Sequence, residues 1–308
     1  MHVLNKGNEP LTVTLSRAGA PIEVLGPIAA STDATKAKAL APGSYDIRCD
    51  PSATRLVLIV STKKHAVIDP SRVRAVTNYR AFVTRSVAHM VPYVAALAQA
   101  INAGQLSAAQ SVYPASRVAW EEIEPVAETF GDLDPRMNAR VVDIAAGQSW
   151  GGWHRIEKGL WATKSTAGLA PVVAQLQRDV TELQGKIAGA TLTPASIANG
   201  ALELIDGILT RKITGEEEIY SHTDFVDIGA SIEGAYQAFL ALKPVITKPT
   251  LISTLNARFK DAFFALKPYA RGSDFVAYTG VSDLQRAAFA KKMRALIGPL
   301  RELATNLG

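Results

Sequence analysis

The sequence predicts a mainly α-helical protein that begins with a small β-sandwich segment, and two observations carry this prediction. Residues 2–61 contain short β-branched stretches separated by turn residues: TVTL, IEVL, YDIRC and RLVLIV. From about residue 76 apolar residues recur at three- and four-residue steps, as in Phe82, Val83, Val87, Met90 and Val94. We therefore expect a β segment over residues 1–70 and an all-α domain over residues 76–308.

The β segment is short for an independent sandwich. The alternation from Leu11 to Leu15 is typical of a half-buried strand. About sixty residues supply few strands, and a stable sandwich normally needs more. We expect this segment to depend on the rest of the chain.

The helical part divides into segments of helix length separated by breakers such as Gly104, Leu133-Asp134-Pro135 and Lys243-Pro244. After the first helix, the predicted helices span residues 107–130, 137–147, 153–162, 168–189, 195–212, 223–243, 249–268 and 282–306. Eight or nine helices joined by short loops predict helical bundles.

Composition excludes several classes of protein. The 308 residues are 48% hydrophobic, which is enough for a sizeable core. No uninterrupted apolar run approaches the roughly 20 residues of a membrane span. The net charge of +5 is mild and the basic residues are dispersed, so we expect no nucleic-acid partner. One cysteine excludes a disulfide framework or a cysteine-rich metal site. The N-terminal MHVLNKGNEPLTVTL lacks the pattern of a signal peptide.

The first candidate site is Trp120-Glu121-Glu122-Ile123-Glu124. On a helix, Glu121 and Glu124 share a face and Glu122 points elsewhere. Two carboxylates on one face repel unless the face is solvated or a cation lies between them. A solvated acidic face is the ordinary alternative.

The second candidate site is Gly151-Gly152-Trp153-His154-Arg155-Ile156-Glu157. His154 and Glu157 also share a helical face, and this spacing presents a nitrogen and an oxygen to one ion. A structural histidine bonded to a neighbouring carboxylate is the alternative. A zinc-protease motif would need a second histidine four residues on, and Lys158 stands there.

The third candidate site is Glu216-Glu217-Glu218, followed by Tyr220-Ser221-His222-Thr223-Asp224. A solvated helix start would explain such a run as well. Together the three segments offer oxygen and imidazole ligands without a thiolate. That donor set favours Fe, Mn or Zn over Cu(I).

These strings resemble the imelysin-like family, and most closely its EfeO-type iron-uptake branch. The resemblance covers about residues 76–308. It rests on Trp153–Trp161, on residues 123–135, on Lys212-Ile213-Thr214-Gly215-Glu216-Glu217 and on Tyr220–Asp224. It implies two four-helix bundles and a non-enzymatic, exported protein of the periplasm or cell envelope. It also implies iron (Fe²⁺ or Fe³⁺) as cargo, with Zn²⁺ as an in vitro substitute, and an inner-membrane iron permease as partner.

The resemblance also implies a set of metal ligands. Glu121 and Glu124 match the family's Glu-x-x-Glu pair, and His154 and Glu157 match its His-x-x-Glu pair. One acidic residue of the run 216–218 is expected to complete the cleft; Glu217 is taken as the candidate, and the choice among the three stays open. Asn138 stands where the family usually has an aspartate ligand. An amide keeps an oxygen donor but loses a negative charge, so affinity for a hard cation should fall.

The β segment resembles the later strands of a cupredoxin-like domain, with residues 40–49 leading to Cys49. A blue-copper site needs two histidines, a cysteine and a weak axial ligand, and no histidine or methionine closely follows Cys49. We therefore expect a truncated module without copper, in which Cys49 is a buried thiol. Two further alternatives stay open, namely a metallopeptidase and a scaffold whose metal site has decayed at Asn138.

Overall fold

A computed structural model describes residues 2–51, 54–60, 69–272 and 274–307. Contacts divide the chain into two units, Met1–Ile68 and Asp69–Gly308. The chain is mainly helical with a small N-terminal sheet, as the sequence predicted. The two four-helix bundles and the cupredoxin-like character stay predictions.

The first unit is antiparallel. Its strands are β1 (His2–Leu4), β2 (Leu11–Arg17), β3 (Ala20–Ile28), β4 (Asp33–Thr35), β5 (Gly43–Asp50) and β6 (Thr54–Val60). Strands β1 and β4 pair with each other, while the other four form one sheet in the order β3-β2-β5-β6. Alternate residues of β2 face a small core, in which Val13, Leu15 and Tyr45 are buried. Cys49 on β5 is only half-buried and lies opposite Val13.

The second unit contains nine helices within the described residues. They are α1 (Pro70–Asn102), α2 (Leu106–Ala127), α3 (Leu133–Asn138), α4 (Gly152–Glu157), α5 (Ala170–Lys186), α6 (Pro194–Thr210), α7 (Asp224–Leu242), α8 (Pro249–Leu266) and α9 (Asp283–Leu307). A short hairpin, β7 (Ala270–Arg271) with β8 (Asp274–Phe275), precedes α9.

The helices share one apolar core. Helix α1 packs on α2, α5 and α7, and α6 packs on α7 and α9. The periodic apolar residues of α1, including Val83, Val87 and Met90, are fully buried in these contacts. This packing places the second half of α2 beside the first turns of α7, where the candidate site lies.

The region around residues 133–147 differs from the prediction. The expected breaker Leu133-Asp134-Pro135 forms α3, because proline is tolerated in the first turn of a helix. The helix expected over residues 137–147 ends at Asn138, and only a 3₁₀ turn follows at Val141–Asp143. Two tertiary hydrogen bonds hold the chain here, since Arg117 donates to Asn138 and the Trp150 indole donates to the Ala139 carbonyl. These contacts outweigh local helix propensity.

Helix α1 is the one described helix long and apolar enough to cross a membrane, with a mean hydropathy of 1.2. No apolar segment of this length was predicted from the sequence, so this property of α1 was not predicted. The criterion uses length and composition only, and a core helix of a globular domain also satisfies it. Helix α1 packs on α2, α5 and α7, and 39% of its most apolar 18-residue window is buried.

The close contact between α2 and α7 gives the first testable prediction. A Cβ atom at Gly234 would lie 2.2 Å from the Glu122 carbonyl oxygen. We expect Gly234→Ala to lower the free energy of unfolding by about 3 kcal/mol, because the two backbones would have to separate. Gly185→Ala on α5 is the control, since nothing lies within 4 Å of its Cβ position. That variant should gain about 0.5–1 kcal/mol. Urea unfolding of both variants measures the difference, and equal stabilities would contradict the packing.

Candidate metal centre

Three parts of the helical unit bring ionisable side chains together in its interior. Helix α2 provides Arg117, Glu121 and Glu124, α4 provides His154 and Glu157, and the segment 211–227 with the start of α7 provides the rest. The acidic members are all buried: Glu121, Glu124, Glu157, Glu217, Glu218, Asp224 and Asp227. Two buried cations, Arg117 and Lys212, lie among them. Charged residues are rarely buried in this number without partners or a metal ion.

Helix α4 is held in place by its glycine and tryptophan neighbours. Gly152 has φ +70°, and a Cβ there would lie 2.1 Å from the Met137 carbonyl oxygen, so only glycine fits. Trp153 is fully buried and its indole N–H donates to Ser116 Oγ at 3.0 Å. Its ring also packs on Trp120, with ring centroids 5.6 Å apart. These contacts aim His154 and Glu157 towards α2.

The first group of ligand atoms, which we call the His154 group, consists of His154, Glu157 and Glu218. One ligand atom from each lies within 4.8 Å of the others. His154 Nδ1 is 3.4 Å from Glu157 Oε2 and 3.7 Å from Glu218 Oε1. His154 Nε2 is buried without a hydrogen-bond partner and lies 3.8 Å from Glu217 Oε1. Burial and the Arg117 charge lower the pKa of His154, which favours the neutral imidazole that binds metals.

The two carboxylates of the His154 group are oriented by the segment before α7. Glu157 Oε1 accepts hydrogen bonds from the backbone N–H groups of Tyr220 and Ser221, both at 2.8 Å. Glu218 accepts from the Ser221 hydroxyl at 2.6 Å and pairs with Arg117 Nε at 2.9 Å. Burial and the Glu157 carboxylate raise the pKa of Glu218 well above its usual value. A further cation beside this carboxyl would compensate its charge and lower its pKa.

The second group, which we call the inner cluster, consists of Glu121, Glu217 and Asp227. Both buried cations reach into it. Arg117 Nη2 lies 2.6 Å from Glu121 Oε1, 3.4 Å from Glu217 Oε1 and 3.2 Å from Asp227 Oδ2. Lys212 donates to the other oxygen of Glu121. Asp227 Oδ1 is buried without a hydrogen-bond partner.

Electrostatic interactions in and around the inner cluster give its carboxyl groups very different pKa values. Burial alone would raise the pKa of Glu217, but the neighbouring charges of Lys212, His154 and Arg117 lower it to about 2. Burial raises the pKa of Asp227 well above its usual value despite Arg117. At the start of α7, burial also raises the pKa of Asp224 to about 6. The two cations thus compensate only part of the buried negative charge.

A pocket of about 890 Å³ leads from the surface to this cluster. Its lining includes Glu124, Asn138 and Glu217. A much smaller cavity of about 10 Å³ lies beside His154 and Glu157 and is also lined by Glu217. Glu217 therefore borders both spaces.

The structure brings the six predicted ligands into one region. Some of them contact buried cations there, as the following contacts show. Glu121 and Glu124 share a face and a cation does lie near both, namely Lys212. Glu122 points away and accepts from Ser86. Asn138 Oδ1 accepts from Arg117 Nη1 at 2.8 Å, so this oxygen is engaged by the guanidinium.

Sequence reasoning did not assign five members of the site: Arg117, Lys212, Glu218, Asp224 and Asp227. A buried cation has no periodic signature in the sequence. One signal was available, because Arg117 precedes Glu121 by four residues and such pairs face each other on a helix. Asp224 and Asp227 likewise stand three residues apart at the start of α7.

These buried side chains fit a bound cation better than they fit a set of ion pairs that neutralise one another. Seven buried carboxyl groups face two buried cations. In addition, His154 Nε2 and Asp227 Oδ1 each lack a hydrogen-bond partner. Buried polar atoms of this kind call for a water or an ion.

Comparison with known proteins places the chain in a family. The sequence model of imelysin, named as peptidase M75, matches residues 75–307. The iron uptake system component EfeO of Escherichia coli K12 is 34% identical over 280 residues, which cover 87% of this chain and 75% of that protein. EfeO of Shigella flexneri matches equally well.

A solved structure supports the fold. The putative iron-regulated protein A precursor from Parabacteroides distasonis superposes with a TM-score of 0.60, covering 79% of this chain and 97% of that one. Its sequence identity is 14%, so the likeness concerns the fold alone. With the family match over nearly all of the helical unit, these findings confirm the predicted resemblance: the chain belongs to the imelysin family and is a relative of the iron-uptake component EfeO.

Proposed function

We propose that this protein is a non-enzymatic iron-binding component of an iron-uptake system, which holds the ion in the carboxylate and histidine cleft of its helical unit. The carrying observation is the excess of buried carboxyl groups around the His154 imidazole. Its Nδ1 faces Glu157 and Glu218, and its Nε2 is buried without a hydrogen-bond partner. The similarity to proteins named as iron-uptake components supports iron as the cargo.

The His154 group is the proposed primary binding point. Carboxylate oxygens from Glu157 and Glu218 with one neutral imidazole form a hard to borderline donor set. Such a set suits ferrous or ferric iron, and Zn²⁺ in vitro, better than Cu(I) or calcium. Glu217 lies 3.8 Å from the other ring nitrogen, His154 Nε2, and is the carboxylate ligand for an ion bound on that side of the ring. Of the other predicted ligands, Glu124 and Asn138 line the large pocket, and Glu121 lies deeper, in the inner cluster.

We further propose an exported location in the periplasm or cell envelope and an inner-membrane iron permease as partner. An ion that is held by a carrier on one side of a membrane needs a transporter to cross it. The similarity to components of an uptake system supports this arrangement.

For the β unit we propose a truncated cupredoxin-like segment without a copper site. A four-stranded antiparallel sheet that carries Cys49 on β5 supports this proposal. The described residues that line the pocket beside Cys49 include no histidine or methionine. His65 lies outside the described residues.

A metallopeptidase is the competing function, because the family name includes a peptidase. Hydrolysis requires an open coordination position that a peptide bond can reach. His154 is 2% exposed and the cavity beside it measures about 10 Å³, which is too small for a peptide backbone. This geometry favours binding of an ion over catalysis.

The principal prediction concerns the His154 group. We expect Glu157→Gln to weaken Zn²⁺ and anaerobic Fe²⁺ binding by about 100-fold or more. The amide retains an oxygen for the two backbone N–H groups but loses the ligand charge. His154→Ala should have a similar effect. Isothermal calorimetry measures both, with His89→Ala on the exposed face of α1 as control. Wild-type affinity in Glu157→Gln and His154→Ala would disprove the proposed site.

A second prediction concerns Asn138. Its oxygen accepts from Arg117, and Asn138→Asp adds a negative charge at the wall of the pocket. We expect this variant to bind Fe²⁺ and Zn²⁺ about 3- to 10-fold more tightly, because carboxylates are stronger ligands for hard cations than amides. If wild type binds no ion and Asn138→Asp does, the site has decayed and the scaffold alternative is correct.

The third prediction separates carrier from peptidase. Zinc- or iron-loaded protein should leave a diverse peptide mixture intact over hours, as judged by mass spectrometry. Cleavage products that appear with wild type and vanish with His154→Ala would assign the peptidase function instead.

A further inference from the structure

Lys212 is the buried cation whose position the proposed function does not explain. It lies in the 3₁₀ turn Lys212–Thr214 that follows α6, and its side chain is 1% exposed. Lysine is almost never fully buried unless it is paired, because its ammonium group is strongly hydrated. Here burial opposes its charge, but Glu121 and Glu124 raise the pKa of Lys212 above its usual value. The ammonium is therefore charged inside the protein.

The ammonium is surrounded by carboxylates that the sequence predicted as metal ligands. It donates to Glu121 Oε2, and it lies 3.7 Å from Glu124 Oε2 and 4.0 Å from Glu217 Oε1. Three carboxylates converging on one point is the arrangement that a metal ion would use. The Lys212 ammonium thus lies where these three carboxylates would otherwise hold a metal ion.

We propose that Lys212 is a tethered cation that holds Glu121 and Glu217 in the unloaded protein and is displaced from them when the metal ion binds. This inference rests on the proposed function. An ion that binds Glu217 beside His154 Nε2 competes with the Lys212 ammonium for the same Glu217 oxygen, so each weakens the binding of the other by the same free energy. Lys212 is a positioning residue in this scheme and does not touch the ion.

The surroundings of Lys212 allow this displacement. The residue is in a short 3₁₀ turn, and the following segment as far as Thr223 contains no α-helix. Glu124, the most exposed of the three carboxylates, lines the 890 Å³ pocket. An ammonium that leaves Glu121 can therefore remain paired with Glu124 at the pocket wall. A long, flexible side chain suits such a move better than the rigid guanidinium of Arg117.

A thermodynamic cycle tests the inference with the full chain and Zn²⁺ as probe. We expect Lys212→Met to destabilise the unloaded protein, because Glu121 loses a partner, and to leave the thermal midpoint of the zinc-loaded protein unchanged. The Kd for Zn²⁺ should then fall about 10-fold, the usual scale of a hydrogen bond between charged groups. Lys248→Met, which removes the exposed pair with Glu302, is the matched control and should change neither quantity.

The outcomes separate this inference from the proposed function. If Lys212→Met lowers the thermal midpoints of the unloaded and zinc-loaded protein equally, and the Kd for Zn²⁺ is unchanged or larger, Lys212 is a fixed structural partner and the inference is wrong. In that case metal binding by wild type would still support the proposed function. If wild type binds neither Zn²⁺ nor Fe²⁺, the proposed function fails and the inference fails with it.

A second measurement uses the wild-type chain, so it does not depend on the folding of a variant. Amine acetylation followed by peptide mass spectrometry compares the unloaded and zinc-loaded protein. We expect Lys212 to be protected without zinc and to react several-fold faster with zinc, while exposed Lys248 reacts equally in both. Equal protection of Lys212 in the two states would overturn the displacement.

Discussion

Burial of seven carboxyl groups in one helical unit is the constraint on which the rest of the structure depends. Arg117 provides hydrogen-bond partners for several of these carboxyl groups, because a guanidinium has five N–H donors in a fixed plane. Its donors reach Glu121 on its own helix, Asn138 on α3, Glu218 before α7 and Asp227 on α7. Four separate segments of chain are thereby fixed around one side chain. The position of α3, and hence of the backbone that supports Gly152, depends on this arrangement.

Stability alone does not account for such a cluster. Buried ion pairs are often no more stable than well-packed apolar side chains of the same volume, because desolvation offsets the attraction. Here the two buried cations do not balance the acids, and burial raises the pKa values of Glu218 and Asp227 well above their usual values. A fold selected for stability would replace several of these groups. Their presence is the reason for proposing that the site receives a cation from outside.

The sequence predicted those features that depend on the helical repeat. Apolar periodicity located α1, and the three-residue spacing placed His154 and Glu157 on one face. It failed where tertiary contacts decide the backbone, as at residues 139–147. There hydrogen bonds from Arg117 to Asn138 and from Trp150 to Ala139 hold an irregular path that includes the 3₁₀ turn Val141–Asp143. The acidic run was ambiguous for the same reason. Its backbone is irregular, so no period shows that Glu217 and Glu218 point inwards while Glu216 is exposed.

Glu217 connects the two groups of ligand atoms and the solvent. It lies 3.8 Å from His154 Nε2, 3.4 Å from Arg117 Nη2 and beside Lys212, and it lines the large pocket. Its low pKa means that it is ionised when neighbouring carboxyls are not. Under the proposed function, an incoming cation would therefore meet Glu217 at the boundary before it reaches His154. Because Glu217 also pairs with Arg117 and Lys212, these internal cations would weaken its bond to the ion. A carrier has to release its cargo, and sharing Glu217 between the ion and the two buried cations would limit the affinity in the way that release requires.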